Sequence, residues 1–114
     1  MIVCAPVVDH RIYTIVPRGM AEFLEVFEGM AMPILRQHLG EPLAFYTSSI
    51  GPLNQVVHLW GYESLADFER RSLARDSDPR FAAYLQATRH LVSAQETRIL
   101  RAVKFADPEA ALPG

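Results

Sequence analysis

Hydrophobic and polar positions alternate from Val7 to Val16, with Val8, His10, Ile12 and Thr14 on one side and Asp9, Arg11, Tyr13 and Ile15 on the other, the period of a half-buried strand. Pro17, Arg18 and Gly19 end it. Met20, Phe23, Leu24, Phe27, Ala31, Ile34 and Leu35 then recur at helical spacing between Glu22, Glu25 and Glu28, which predicts an amphipathic helix running to His38 and stopping at Gly40. Inside it Pro33 has no amide to bond back to Gly29, so a bend is expected between Gly29 and Pro33. Leu43 to Ile50 and Leu53 to Tyr62 read as two strands of a hairpin around Gly51-Pro52. Ser64 and Asp67 make a capping box for a helix to about Arg75, and Asp78-Pro79 restarts it as N-cap and first helical residue. A last strand spans Val92 to Val103.

The order strand, helix, strand, strand, helix pair, strand is that of an α+β, ferredoxin-like β-α-β-β-α-β domain, a four-stranded antiparallel sheet with its helices on one face. In the third strand Leu53, Gln55, Val57, Leu59 and Gly61 share one side and Asn54, Val56, His58, Trp60 and Tyr62 the other. The small and aliphatic set is expected under the helices. The bulky set is expected on the open face, where so large an apolar patch calls for a cover. A second copy supplies it through one two-fold contact, which predicts a homodimer through the open sheet face, a dimeric α/β barrel. A one-residue slip would exchange the two faces. Such a barrel tends to enclose an apolar cavity dotted with polar groups.

The chain has 114 residues, enough for one core, read as a domain over residues 1–105 and a tail over 106–114 that is either disordered or laid on a partner. Half the residues are apolar, 21% are charged, and the net charge is −2 with no basic block, which speaks against nucleic acid. The lone Cys4 cannot close a disulfide within the chain. Met1 to Val8 is too short for a signal sequence, and no apolar run approaches the roughly 20 residues of a membrane span, so a cytoplasmic protein is expected. Histidines without partners at ligand spacing give no metal site, and neither a phosphate-cradling glycine loop nor a serine nucleophile elbow is present, so no cofactor is expected.

The stretch from Gly51 to Trp60, GPLNQVVHLW, and Arg11-Ile12-Tyr13-Thr14 leading through Pro17 to Ala21-Glu22-Phe23-Leu24 resemble the NIPSNAP family. The likeness continues in Ser64-Leu65-Ala66-Asp67 and from Gln95 to Arg101. It implies the dimeric α/β-barrel fold and no particular reaction. Departures are His10 for an aliphatic residue, Ile12 for threonine and Arg18-Gly19 at the turn. The wider superfamily includes cofactor-independent monooxygenases and haem-degrading enzymes, and Trp60 is similar to a tryptophan found at that place in several of them. Haem chemistry is disfavoured by the resemblance, since Leu65 to Arg75 holds no histidine.

The candidate chemistry sits on the expected open face. His58 is a general base or a buried structural imidazole, Asn54 a donor to a developing oxyanion, and Trp60 a stacking platform or a core plug. Arg11 and Arg98 either grip a carboxylate or enolate together or pair with Asp9 and Glu96. Tyr13 and Tyr46 either donate to a ligand or fill space. His10 and His38 read as structural or surface groups, and His90 as a helix-end cap. The expected function is a homodimer binding a small apolar or aromatic molecule in its cavity, with cofactor-independent oxygenation or proton transfer as the chemistry. The alternative is a non-catalytic binding or scaffold protein whose barrel is filled by its own side chains.

Overall fold

The computed structural model describes residues 5–106, so Cys4 and most of the expected tail lie outside the described residues. Strand β1 (Val7–Ile15) leads into α1 (Met20–Val26), a π-helical segment (Phe27–Ala31) and α2 (Met32–His38). Next come β2 (Ala44–Thr47), β3 (Gln55–Tyr62), α3 (Leu65–Asp76), α4 (Pro79–Thr88) and β4 (Val92–Arg101). The sheet has the order β2-β3-β1-β4 with every pairing antiparallel, the ferredoxin-like arrangement the element order implied.

The expected bend is a change of helical register. The Met32 amide reaches back five residues to the Phe27 carbonyl, and α2 restarts with Pro33 in its first turn, where no intrahelical donor is required. Both helix starts later in the chain are built as their sequences indicate. The Ser64 hydroxyl accepts from the Asp67 amide at 3.0 Å, and the Asp67 carboxylate reaches back to the Glu63 amide. Asp78 accepts from the Arg80 amide at 3.0 Å. His90 pairs with Glu22 at 2.8 Å rather than capping the end of α4.

The second strand is shorter than its apolar run suggested. Residues 48–54 form a loop with Gly51 and Asn54 at positive φ, and they leave Ile50 and Leu53 exposed.

One expectation about the sheet is reversed. Val56, His58, Trp60 and Tyr62 are buried beneath the helices, not presented on the open face. The inner side of the helical layer carries Phe23, Phe27 and Tyr84, so it stands off the sheet on large rings and needs large partners to fill the gap. The open face takes the smaller set, Val57, Leu59 and Gly61 on β3 opposite Ile12, His10 and Val8 on β1. Among the described residues no helix is long and apolar enough to cross a membrane.

Candidate functional site

Register places one row of side chains across the sheet on its helix side: Phe45 of β2, His58 of β3, Arg11 of β1 and Thr97 of β4, each opposite the next. Asp9 and Trp60 form the neighbouring row on one side and Tyr13 and Val56 the neighbouring row on the other. Strand periodicity alone puts Asp9, Arg11 and Tyr13 on one face, because their side chains fall at every second position.

His58 is 1% exposed and walled by aromatic rings. Tyr13 meets it edge-on with ring centres 4.7 Å apart, Phe45 stacks on it at 5.0 Å, and Phe27 approaches edge-on at 5.9 Å from the π-helical segment. The Trp60 indole N–H donates to its Nδ1 at 2.7 Å. Burial, reinforced by the charges of Arg11 and His10, pulls the His58 pKa down to about 3, so the ring is neutral at physiological pH. With Nδ1 accepting, the single ring proton belongs on Nε2, which has no partner among the described residues. With its lone pair engaged by Trp60, the ring presents a hydrogen-bond donor at Nε2.

Beside it lies a carboxylate that sequence reasoning considered only as an ion-pair partner. Asp9 is buried and accepts from Arg11 Nη1 at 3.1 Å and from the Thr97 hydroxyl. Burial opposes the charge on Arg11, but Tyr13 and Asp9 outweigh it and raise the guanidinium pKa. The guanidinium carbon stands 5.7 Å from the centre of the Tyr13 ring, and its Nε is buried without an acceptor.

Of the residues proposed from sequence, His58, Trp60, Arg11 and Tyr13 come together and the other three do not. Asn54 sits in the turn before β3 with φ 60°, its carbonyl taken by the Ile15 amide, rather than on the strand face. Tyr46 points to the open face and is 66% exposed, opposite Val57. Arg98 also lies on the open face, where its Nε donates to His10 Nδ1 at 3.1 Å, so it cannot join Arg11 across the sheet. Thr97 and Phe45 escaped notice because their places depend on strand register, which the chain's periodicity does not report.

A groove of about 410 Å³ opens between the first helical stretch and β2, with Leu24, Phe27, Met32 and Phe45 as apolar walls. The ion pair of Arg36 and Glu41, at 2.7 Å, forms part of its polar edge. Phe27 and Phe45 thus both line the groove and pack on His58. Among the described residues no three histidine, cysteine, aspartate or glutamate side chains gather to hold a metal ion.

Known proteins with this fold carry related sequences. A NIPSNAP-like domain protein from Burkholderia xenovorans is 38% identical, with a TM-score of 0.82 over 90% of this chain and 89% of that one. A NIPSNAP family protein of unknown function from Agrobacterium tumefaciens is 30% identical, with a TM-score of 0.83 over 90% and 92% of the two chains. A candidate antibiotic biosynthesis monooxygenase from Caulobacter crescentus shares the fold at a TM-score of 0.64 over 86% of this chain and 90% of that one, with 20% identity. A NipSnap homolog of Dictyostelium discoideum is 35% identical over 66 residues, which are 57% of this chain and 30% of that protein, so the likeness takes in under a third of that longer relative. The NIPSNAP family model matches residues 8–107, from the first strand to beyond the last, and the chain belongs to the NIPSNAP family.

Proposed function

We propose that this protein is a homodimer, paired through the open face of its sheet, in which each subunit binds a small apolar or aromatic molecule between helices and sheet beside His58. The placement of Phe27 and Phe45 carries the binding reading, because both rings line the groove and both pack on the buried imidazole. Phe45 is half-buried on the short edge strand β2, and it is the ring that gives way on entry. Flat apolar walls with a few fixed polar groups are what a small-molecule site requires. A neutral donor held in place by Trp60 suits ligands whose oxygen gains negative charge, as in proton transfer from a carbon acid or in cofactor-independent oxygenation.

The second reading is a non-catalytic scaffold, favoured by the burial of His58 under rings that already fill the space around it. Trp60 is the chain's one tryptophan and touches His58, so its fluorescence reports on this site alone. Titration with 4-nitrotoluene, a quencher of tryptophan emission, is expected to saturate at one molecule per subunit, and native mass spectrometry should show the same stoichiometry. Linear, non-saturating quenching with no added mass, by 4-nitrotoluene and by 4-nitrophenol alike, would establish the scaffold.

A further inference from the structure

Among the described residues four buried side-chain polar atoms have no hydrogen-bond partner: Arg11 Nε, His58 Nε2, the Tyr62 hydroxyl and the Ser72 hydroxyl. The two hydroxyls lie near enough for Ser72 to ease the ionisation of Tyr62, so they can serve one another. The two nitrogens cannot, because both are donors, and the Tyr13 hydroxyl near the Arg11 guanidinium makes no hydrogen bond to its Nε. Arg11 and His58 are direct partners across β1 and β3 and project from the same face of the sheet, and the Arg11 charge is felt at the imidazole, so the two side chains are neighbours. Buried donors are nearly always satisfied, so two adjacent ones without acceptors mark a place for something the chain itself does not supply.

We propose that these two N–H groups receive a single oxygen of the bound molecule, and that the ligand is a phenol or enol bound through its oxygen in the anionic form. The inference rests on the reading of the site as a small-molecule pocket. Several features narrow the chemistry to this class. Two donors match one oxygen, whereas a carboxylate would bring two oxygens and call for more. Asp9 already balances the charge of Arg11, so a full, localised second anion would be poorly compensated, while a charge spread over a conjugated ring or enol needs less. A water molecule is a weaker fit, since it would also need acceptors for its own protons and the surroundings of His58 are largely aromatic rings. The rings of Tyr13, Phe27, Phe45 and Trp60 around His58 suit a flat conjugated body.

The test compares 4-nitrophenol with 4-nitrotoluene, which have nearly the same shape, on the full chain. The phenol is expected to bind about tenfold tighter or better, and its visible phenolate absorption should persist on the protein about one pH unit or more below its range in water. The ring Nε2–H proton of His58, followed by proton–nitrogen NMR, should shift downfield with 4-nitrophenol and stay in place with 4-nitrotoluene. Arg11→Lys keeps a cation against Asp9 but removes the Nε donor, and it should bring the two affinities together. Equal binding of both compounds to the wild-type protein, with an unmoved His58 signal, would overturn the oxyanion assignment and leave the pocket standing. Binding of neither compound would overturn the pocket and this inference with it.

Discussion

The Trp60 indole N–H and the His58 Nδ1, two residues apart on one face of β3, form a 2.7 Å hydrogen bond inside the aromatic layer between sheet and helices. This bond selects the imidazole tautomer and turns its one remaining donor away from Trp60. Trp60→Phe keeps a ring in place but leaves Nδ1 without a donor and opens a small void. A loss of about 2–4 kcal/mol in a urea denaturation series is expected, from an unsatisfied buried acceptor together with lost packing. Nitrogen NMR of the variant should show His58 as a mixture of tautomers. A single unchanged tautomer would mean that something other than Trp60 fixes the ring.

Stability should fall with acid because His58 is harder to protonate folded than unfolded. Its pKa is about 3 in the folded chain, against about 6.5 in an unfolded one, with burial as the main cause. The unfolded state binds the extra proton throughout that window, so stability is full above pH 6.5 and declines toward pH 3, by up to about 1.4 kcal/mol per pH unit. By pH 5 the expected loss reaches about 2 kcal/mol. His58→Gln has no proton to take up there, and its urea midpoint should decline less steeply over the same range. Parallel curves for the two proteins would assign the acid sensitivity to other groups.

The strand alternation, both helix caps and the break ahead of Pro33 were legible in the chain because each is written in local spacing. The Met32 to Phe27 register shift follows from one missing amide, and the Ser64 cap from one hydroxyl. The orientation of the sheet was not legible, since a period of two tells which residues share a face and not which face meets the helices. Side-chain bulk was a misleading guide, because the aromatic inner surface of the helices makes the bulky set of β3 the better filling. Half the candidate site escaped for a related reason. Thr97 reaches Asp9 only through the β1–β4 register, and Arg98, one residue later, is sent to the opposite face.

Asp9 and Arg11 illustrate how unequal the two sides of a buried pair can be. Asp9 is 1% exposed and takes donors from both neighbouring side chains, while Arg11 is 19% exposed. Asp9→Ala strands the guanidinium beside the aromatic cluster and should cost about 3 kcal/mol in urea unfolding. Thr97→Val keeps the shape and removes one hydrogen bond to the carboxylate, an expected loss of about 1.5 kcal/mol. Asp9→Ala combined with Arg11→Met should be more stable than Asp9→Ala alone. Additive losses in the double variant would show that the two groups do not stabilise each other.

The proposed homodimer places its contact on the open face of the sheet. Ile12 and Val57 stand opposite each other in register at its middle, with Leu59 and Val8 nearby on the same face, and the chain's own helices leave this side uncovered. Two-fold pairing of this face would bury the aliphatic side chains against their copies. If folding and pairing are linked, the urea midpoint must rise with protein concentration, because dilution favours the unfolded chains by mass action. Ile12→Asp sets a carboxylate in the middle of each contributing surface, where pairing would strip its water. The variant is expected to migrate at monomer mass in native mass spectrometry and to lose the concentration dependence, with its far-ultraviolet circular dichroism retained. A wild-type protein of monomer mass at micromolar concentration, with a midpoint indifferent to dilution, would sink the homodimer and leave Val57 and Ile12 as ordinary half-buried strand residues.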